Sequence, residues 1–239
     1  MRRFRPLVLC YHAITDDWPH ALATSPVTFE RQLRAFLARG YRPGSAAQAI
    51  EGHARILHVT FDDAFTSIER ALPVLERLGL RATVFACSGY ADGGRPLDVP
   101  ELADNAARLP HELETMDWDA LRSLAERGIG VESHTVSHPH LPRLDDTELR
   151  RELSDSRARF ESELGHRIGL LAYPFGDEDE RVRSAARAAG YDAAFALPGR
   201  TRNPDRFALP RVGVYLRDRV WRASVKTTVV GRLAADRRR

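Results

Sequence analysis

The 239-residue sequence predicts an α/β protein built as a (β/α) barrel in a single domain. Three observations lead to this prediction. Short apolar runs alternate with helical patterns along the chain, which is typical of a parallel sheet. Four predicted helices end in glycine followed at once by an apolar residue, as where a helix ends and a strand begins. Polar residues follow several apolar runs, at the strand ends where such folds collect reactive groups.

Six apolar runs are the predicted strands of this barrel. They are LVLC from residue 7, ILHVTF from 56, ATVFAC from 82, IGVES from 129, LLAY from 170 and RVGVYL from 211. Runs of this length, bounded by turn residues, are typical of buried strands in parallel sheets.

Helices are predicted before each of the four glycines, at Gly40, Gly79, Gly128 and Gly190. Ahead of the second glycine, a helical stripe is formed by Phe65, Ile68, Leu72, Leu75 and Leu78. A second stripe, at Leu149, Leu153, Phe160 and Leu164, follows Asp146, which we take as its N-cap.

No linker interrupts this alternation, so residues 1–216 are predicted to form one barrel domain. The glycine-rich stretch from Gly89 to Pro110 is the one long insertion and is predicted to be a loop over one end of the barrel. Residues 217–239 form a basic C-terminal tail. Its apolar residues can gather on one side of a helix, which either packs on the barrel or makes a weak peripheral contact with anionic lipid.

Composition restricts the class of protein. Hydrophobic residues make up 43% and charged residues 29% of the chain, as in soluble globular proteins. Basic residues exceed acidic ones by only three, so we predict no nucleic-acid partner. The chain has no run of eighteen apolar residues, and the apolar core Leu7–Tyr11 is too short for a signal peptide, so a cytoplasmic location is expected. Both cysteines, Cys10 and Cys87, lie in apolar runs and are predicted to be buried free thiols.

Two polar motifs follow predicted strands. Asp62 and Asp63, in HVTFDDAF, precede a helix, where a pair of aspartates can also serve simply as a cap. The second motif, HTVSHPH, carries His134 and His138, and Pro139 biases His138 away from a helix. Two histidines and a carboxylate are a common ligand set for a catalytic zinc. Hydrolysis also requires a free base, which a second aspartate can provide.

TFDD, SHTVSH and YPFG together resemble the motifs of the polysaccharide deacetylase family, the metal-dependent carbohydrate esterases that remove N-acetyl groups from amino sugars. The resemblance runs from about Leu7 to about Val214. It implies a distorted (β/α) barrel and an N-acetylated amino-sugar glycan or glycoconjugate as substrate. It also implies a divalent metal ion, expected to be zinc, with Asp63, His134 and His138 as ligands.

The same resemblance assigns roles to three further residues. Asp62 would be the general base that activates water. The backbone N–H of Phe175, in YPFG, would help to hold the tetrahedral oxyanion. Thr135, between the two histidines, would hold the loop by hydrogen bonding rather than bind the metal.

Two departures from the family pattern concern the base and the acid. Ala172 occupies the place of an arginine that orients the basic aspartate in many members. Where the family often carries Leu-x-His, this chain has Leu209-Pro210-Arg211, so the usual acid is missing. We expect Arg211 to replace the lost arginine from a different strand, and His12, in CYH, to protonate the leaving amine.

Other functions and other roles remain open at this level. A carbohydrate-binding barrel without turnover is one alternative, although a pure binding site has no need of both aspartates. A hydrolase of another acyl group, such as N-formyl, or of a phosphate ester is a second. For several single residues, a structural role is an alternative to a role in the site. His12 fits the core as well as the site, and packing is expected for His58. For Trp118 packing is expected, with sugar stacking as the minority alternative. For His140 solvation is expected, with a supporting role around the metal ligands as the minority alternative, and a sugar-facing wall is expected for Tyr173 and Phe175.

Overall fold

The computed structural model describes residues 6–197 and 205–215. The basic tail from residue 217 lies outside these residues, so its packing and its contact with lipid stay predictions. Across the described ranges, no helix combines the length and the apolar character needed to cross a membrane.

Parallel strands form the centre of the molecule. In chain order the strands of the described ranges are β1 (Leu7–Tyr11), β2 (Ala13–Ile14), β3 (Ala23–Thr24), β4 (Arg42–Pro43), β5 (Ile56–Phe61), β6 (Ala82–Ala86), β7 (Gly130–Ser133), β8 (Leu170–Ala172), β9 (Ala193–Ala196), β10 (Leu209–Pro210) and β11 (Val212–Gly213). The main sheet follows the order β10-β9-β8-β7-β6-β5-β1-β11, with β4 beside β5. All of these pairs are parallel.

The sheet curves into a nearly closed barrel, as predicted. Its two end strands, β10 and β11, are separated along the chain by Arg211 alone, so one short segment borders both β9 and β1. On one side Leu209 lies opposite Phe195, and on the other Val212 lies opposite Leu9. The segment therefore closes the ring and places Arg211 at the closure.

Helices surround the barrel. They are α1 (Pro26–Ala38), α2 (Ala46–Ile50), α3 (Leu72–Arg77), α4 (Ala103–Arg108), α5 (Trp118–Glu126), α6 (Asp146–Leu164) and α7 (Glu180–Ala188). The longest, α6, begins with a capping box in which Asp145 accepts from the backbone N–H of Glu148. It ends at Gly165, whose φ of 70° is the left-handed conformation that glycine adopts most easily.

Several local predictions were wrong. The N-cap of α6 is Asp145 and not Asp146, because the Asp145 side chain reaches the free N–H groups of the first turn. The stripe predicted from Phe65 to Leu78 is divided into a 3-10 helix at Thr66–Ala71 and α3. Pro73 at the start of α3 lacks the N–H that a continuous α-helix would use. The predicted loop over the barrel end contains α4 and a 3-10 helix at Pro100–Leu102.

Three buried apolar clusters form the core of the described residues. The barrel strands β1, β5 and β6 are buried along their whole length. A smaller apolar cluster lies under the insertion and includes Trp18, Phe65, Tyr90, Leu97 and Leu113. Its burial fixes the insertion against the loops that follow β1 and β5. The carboxyl ends of the strands thus carry an ordered cover rather than a free loop.

Candidate active site

Asp63, His134 and His138 converge at the carboxyl ends of β5 and β7. The Nε2 atoms of His134 and His138 lie 3.5 Å and 3.3 Å from Oδ1 of Asp63, and one ligand atom from each residue lies within 4.8 Å of the other two. All three side chains are buried. The residues named from the sequence as metal ligands are therefore brought together in one cluster.

The hydrogen bonds of this cluster fit a bound cation. The Nδ1 atom of His134 lies 2.7 Å from the carbonyl oxygen of Ala172 and must donate to it, so a neutral ring presents a lone pair at Nε2. No described residue donates a hydrogen bond to Oδ1 of Asp63. The lone pairs of His134 Nε2 and Asp63 Oδ1 thus face each other without a proton between them. This arrangement is unfavourable unless a cation lies between the two atoms.

The ionisation of the three residues leads to the same conclusion. Burial lowers the pKa of both His134 and His138, which keeps the rings neutral and able to bind a metal. Burial and the neighbouring charge of Asp62 raise the pKa of Asp63 well above its usual value. A charged Asp63 is therefore stable here only beside a compensating cation. The donor set of two imidazoles and one carboxylate suits zinc.

Backbone strain is concentrated at this cluster. Asp63, Thr135, His138 and Phe175 all have positive φ, between 60° and 75°, although none is glycine. Such conformations cost about 1 to 3 kcal/mol each and persist where the surroundings impose them. Their occurrence around one group of side chains is typical of a functional site.

Hydrogen bonds from α6 impose the shape of the histidine loop. The buried carboxylate of Glu152 accepts from the backbone N–H groups of Val136 and Ser137, both at 2.9 Å, and from the Ser137 hydroxyl at 2.7 Å. Ser156 donates to the carbonyl oxygen of Thr135. Sequence reasoning missed Glu152 and Ser156, although both are polar residues on the buried stripe of α6.

Thr135 occupies the position expected of it. Its Oγ1 accepts a hydrogen bond from the backbone N–H of His138 at 3.2 Å, and its own N–H donates to Oγ of Ser133 at the same distance. The residue thus stabilises the turn between the two histidines through hydrogen bonds.

Asp62 lies beside the cluster and forms a buried ion pair with Arg211. Two nearly parallel hydrogen bonds join Nη1 to Oδ1 at 2.6 Å and Nη2 to Oδ2 at 2.7 Å. The guanidinium also donates to Thr60 and lies over the ring of Phe85. Burial is the largest single influence and would raise the pKa of Asp62, but the charge and hydrogen bonds of Arg211, together with contributions from His134 and His12, outweigh it and hold that pKa well below the usual range. Arg211 therefore takes the place expected for the missing arginine, from the segment that closes the barrel.

Sequence reasoning also missed a thiol next to this pair. Cys10, buried in β1, donates from Sγ to Oδ2 of Asp62 at 3.3 Å. Both cysteines are free and buried, as predicted. Cys87 donates to the carbonyl oxygen of His134.

His12 follows β1 on the same side of the barrel. A ring nitrogen of His12, Sγ of Cys10 and a carboxylate oxygen of Asp62 lie within 4.8 Å of one another. Burial lowers the pKa of His12 to about 4, so the ring is neutral at neutral pH. Its Nδ1 atom is buried, and none of the described residues hydrogen-bonds to it. The structure thus places His12 beside Asp62 at the candidate site.

The YPFG segment borders the cluster of Asp63, His134 and His138 through Phe175. This ring packs edge-on against His138, with centroids 4.6 Å apart, and face-on against His140 at 3.9 Å. Tyr173 does not form the predicted sugar-facing wall. It is completely buried, and its hydroxyl donates to the carbonyl oxygen of Phe207, because the side chain points into the core.

Three other histidine and tryptophan predictions can be compared with the structure. His58 is buried in β5 between Gly44 and Thr83, which agrees with a packing role. Trp118 is also buried and packs edge-on against Phe160. His140 is not simply solvated, since its ring nitrogens contact the carboxylates of Asp177 and Glu101 at 3.1 Å and 3.3 Å.

The arrangement as a whole combines two chemical capacities in one place. Three converging ligand atoms can bind a divalent cation and leave a position for water or substrate. The second carboxylate, Asp62, lies next to them and is held in one orientation by two hydrogen bonds. A Lewis acid beside an oriented base is what metal-assisted hydrolysis requires.

Comparisons with known proteins agree with this geometry. A family model described as polysaccharide deacetylase matches residues 49–194. The Bacillus subtilis (strain 168) protein YxkH, which is named for the same family, is 27% identical over 217 residues. The alignment covers 87% of this chain and 70% of YxkH.

Solved structures show the same fold. BC0361, a polysaccharide deacetylase from Bacillus cereus, superposes with a TM-score of 0.73 at 23% identity, covering 94% of this chain and 69% of BC0361. The Streptococcus pyogenes deacetylase PplD, solved in complex with acetate, has a TM-score of 0.76 at 19% identity, covering 95% of this chain and 99% of PplD.

Proposed function

The chain belongs to the polysaccharide deacetylase family, and we propose on this premise that it removes N-acetyl groups from amino sugars in a glycan or glycoconjugate with the help of a divalent metal ion. Membership itself supports hydrolytic deacetylation of a carbohydrate. The observation that carries the finer proposal is the convergence of Asp63, His134 and His138 beside the oriented carboxylate of Asp62.

Asp63, His134 and His138 would hold the metal, for which zinc is the expected ion. When bound, the ion supplies Lewis acidity, which polarises the acyl carbonyl and makes water a stronger acid. The hydrogen bond from His134 to the carbonyl oxygen of Ala172 keeps the Nε2 lone pair directed at the cluster. Glu152 holds the loop on which both histidines lie.

Asp62 would take the proton from the attacking water. Arg211 orients its carboxylate and keeps it ionised, so the base is ready at neutral pH. A base with so low a pKa also gives up its proton readily. A ring nitrogen of His12 lies within 4.8 Å of a carboxylate oxygen of Asp62, and the neutral ring would accept that proton. His12 would then protonate the amine nitrogen as the C–N bond breaks, since an amine leaves poorly without a proton.

The backbone N–H of Phe175 would donate to the oxyanion of the tetrahedral intermediate. A preorganised donor of this kind stabilises charge that develops only in the transition state. The strained backbone at Phe175 is consistent with a peptide group held in one orientation for such a purpose.

The first experiment measures metal content and acetate release together. Purified protein is analysed for divalent metals, and acetate release is followed on N-acetylglucosamine oligosaccharides. We expect His134→Ala and Asp63→Asn to lose stoichiometric metal, because a site with three protein ligands loses most of its affinity with one of them. Asp62→Asn should keep the metal and lose about 10² to 10⁴ in turnover, the usual contribution of a general base. Full metal occupancy in the first two variants would contradict the ligand assignment.

A substrate panel separates the two alternatives. N-acetyl, N-formyl and phosphoryl compounds are offered to the same preparation. Preference for N-formyl or phosphoryl compounds would indicate hydrolysis of another bond at the same site. Binding of oligosaccharide without any turnover would indicate a carbohydrate-binding barrel instead.

A further inference from the structure

His140 joins three loops at the edge of the candidate site. Its Nδ1 lies 3.1 Å from Oδ2 of Asp177, in the loop between β8 and α7, and its Nε2 lies 3.3 Å from Oε1 of Glu101, in the insertion after β6. His140 itself follows β7. We call these three residues, Glu101, His140 and Asp177, the His140 bridge.

The bridge lies directly against Phe175. The rings of His140 and Phe175 stack with centroids 3.9 Å apart and planes only 12° from parallel. The Phe175 ring also packs against His138, with centroids 4.6 Å apart and planes 66° apart. Phe175 thus contacts both a proposed metal ligand and the bridge, and Asp177 ties the backbone two residues beyond it to the same histidine.

The backbone at this point can hold its shape only with outside support. Phe175 and Gly176 have φ values of 60° and 67°, so two successive residues are left-handed. A Cβ at Gly176 would lie 2.5 Å from the backbone nitrogen of Leu197, which shows how closely the turn is packed on that side. The ring of Phe175 contacts His138 and His140. The bridge therefore supports the side chain that this turn carries.

We propose that His140 is a positioning residue: it holds Phe175, and with it the backbone N–H that would stabilise the oxyanion, in place beside His138. This inference rests on the proposed function. His140 needs no contact with substrate or metal in this role. Because an oxyanion donor acts only in the transition state, its displacement should lower kcat and leave KM nearly unchanged.

Three variants and a control test the proposal in the full-length, zinc-loaded protein. His140→Ala removes both the stacking and the polar contacts. His140→Phe keeps a flat ring and removes the polar contacts, whereas His140→Asn keeps a short polar side chain and removes the ring. The control is His53→Ala, which removes another carboxylate-paired histidine, 3.1 Å from Glu51, that lies before β5 and away from the site.

We expect His140→Ala to lower kcat by about 10- to 100-fold, since small displacements of catalytic groups cost about that much. KM should stay within about threefold, with metal content and Tm close to wild type, whereas a general packing defect would lower Tm or metal content. His140→Phe should recover part of kcat, and His53→Ala should leave it unchanged. A kcat for His140→Ala within twofold of wild type would overturn the proposal, as would a loss confined to KM.

A second measurement does not depend on activity. In protein labelled with ¹⁵N-phenylalanine, the amide signal of Phe175 is assigned by its absence from Phe175→Leu. We expect this signal to shift in His140→Ala and to stay in place in His53→Ala. An unmoved signal would refute the positioning role. If wild type releases no acetate from any substrate, the proposed function fails, while the amide signal still decides whether His140 holds Phe175.

Discussion

Arg211→Met should destabilise the protein more than any exposed substitution, because it leaves a buried carboxylate without its partner. Arg211 and Asp62 are 1% and 2% exposed. In the wild type Asp62 accepts two hydrogen bonds from the guanidinium, at 2.6 Å and 2.7 Å. In the variant, the thiol of Cys10, whose Sγ lies 3.3 Å from Oδ2, would remain as a side-chain hydrogen-bond donor to Asp62.

The magnitude follows from this burial. At a separation of about 4 Å and an effective dielectric constant near 20, two unit charges attract by about 4 kcal/mol. Measured losses on breaking a buried ion pair by removal of one partner are about 3 to 5 kcal/mol. Methionine fills much of the arginine volume, so little of the loss should come from a cavity. We therefore expect the free energy of unfolding to fall by about 3 to 5 kcal/mol.

The assay is urea unfolding in EDTA, which removes any contribution of metal binding. Wild type, Arg211→Met, Asp62→Asn and the double variant form a double-mutant cycle. In the double variant neither charge of this pair remains, so its stability should recover most of what Arg211→Met lost. A change of pH gives an independent check. Arg211 depresses the pKa of Asp62, so this pair's contribution to wild-type stability is present above the unfolded pKa of about 3.9 and is lost as the pH falls through the folded value.

Arg211→Met should lack that contribution, so its stability loss relative to wild type should be largest at neutral pH and smaller at acid pH. A loss below 1 kcal/mol at pH 7, or a double-mutant cycle without coupling, would refute the reasoning. Either result would mean that water or another group compensates the charge of Asp62.

Three further predictions concern other parts of the molecule. His12→Ala should lower turnover of N-acetyl substrates far more than that of an activated acetate ester, whose leaving group needs no proton; equal losses on both would make His12 structural. Glu152→Ala leaves buried N–H groups without an acceptor and should cost about 1 to 3 kcal/mol or more and weaken metal binding. Glu152→Gln keeps an acceptor and should cost less, and equal unfolding free energies for the two variants would argue against this anchor. Burial raises the pKa of Glu132 to about 7, above the unfolded value of about 4.3, so wild-type stability falls as the pH rises through that interval. Glu132→Gln should therefore gain stability relative to wild type at pH 8 but not at pH 4, and a gain of equal size at both pH values would contradict the ionisation argument.

Strand positions and the candidate metal-binding residues were accessible from the sequence because apolar runs and short motifs are both local patterns. A buried parallel strand is a short apolar run, and the residue that follows it lies at the carboxyl end of the sheet. His134 directly follows β7, Asp63 is the second residue after β5, and His138 lies four residues beyond His134. The strand Ala193–Ala196 escaped prediction because AAFA carries little β-branched or bulky apolar signal and has the composition of a helix.

Side-chain direction and distant partners were decided only by the tertiary structure. Tyr173 and Phe175 are two residues apart in one motif, yet one points into the core and the other borders the site, because the turn between them leaves the regular strand geometry. In the sequence Glu152 has the pattern of an ordinary helical residue. Only the structure shows that its carboxylate accepts hydrogen bonds from the histidine loop.

The pairing of Arg211 with Asp62 shows most clearly what the sequence could predict and what only the tertiary structure decided. The sequence by itself determined that an arginine was missing from its usual place and that Arg211 was a candidate to replace it. Only the barrel shows that these residues, 149 positions apart, meet through two hydrogen bonds. Periodicity and composition act over a few residues, whereas strand order and register decide which distant strands become neighbours. Because the segment around Arg211 closes the barrel between β9 and β1, its guanidinium reaches the carboxylate at the end of β5.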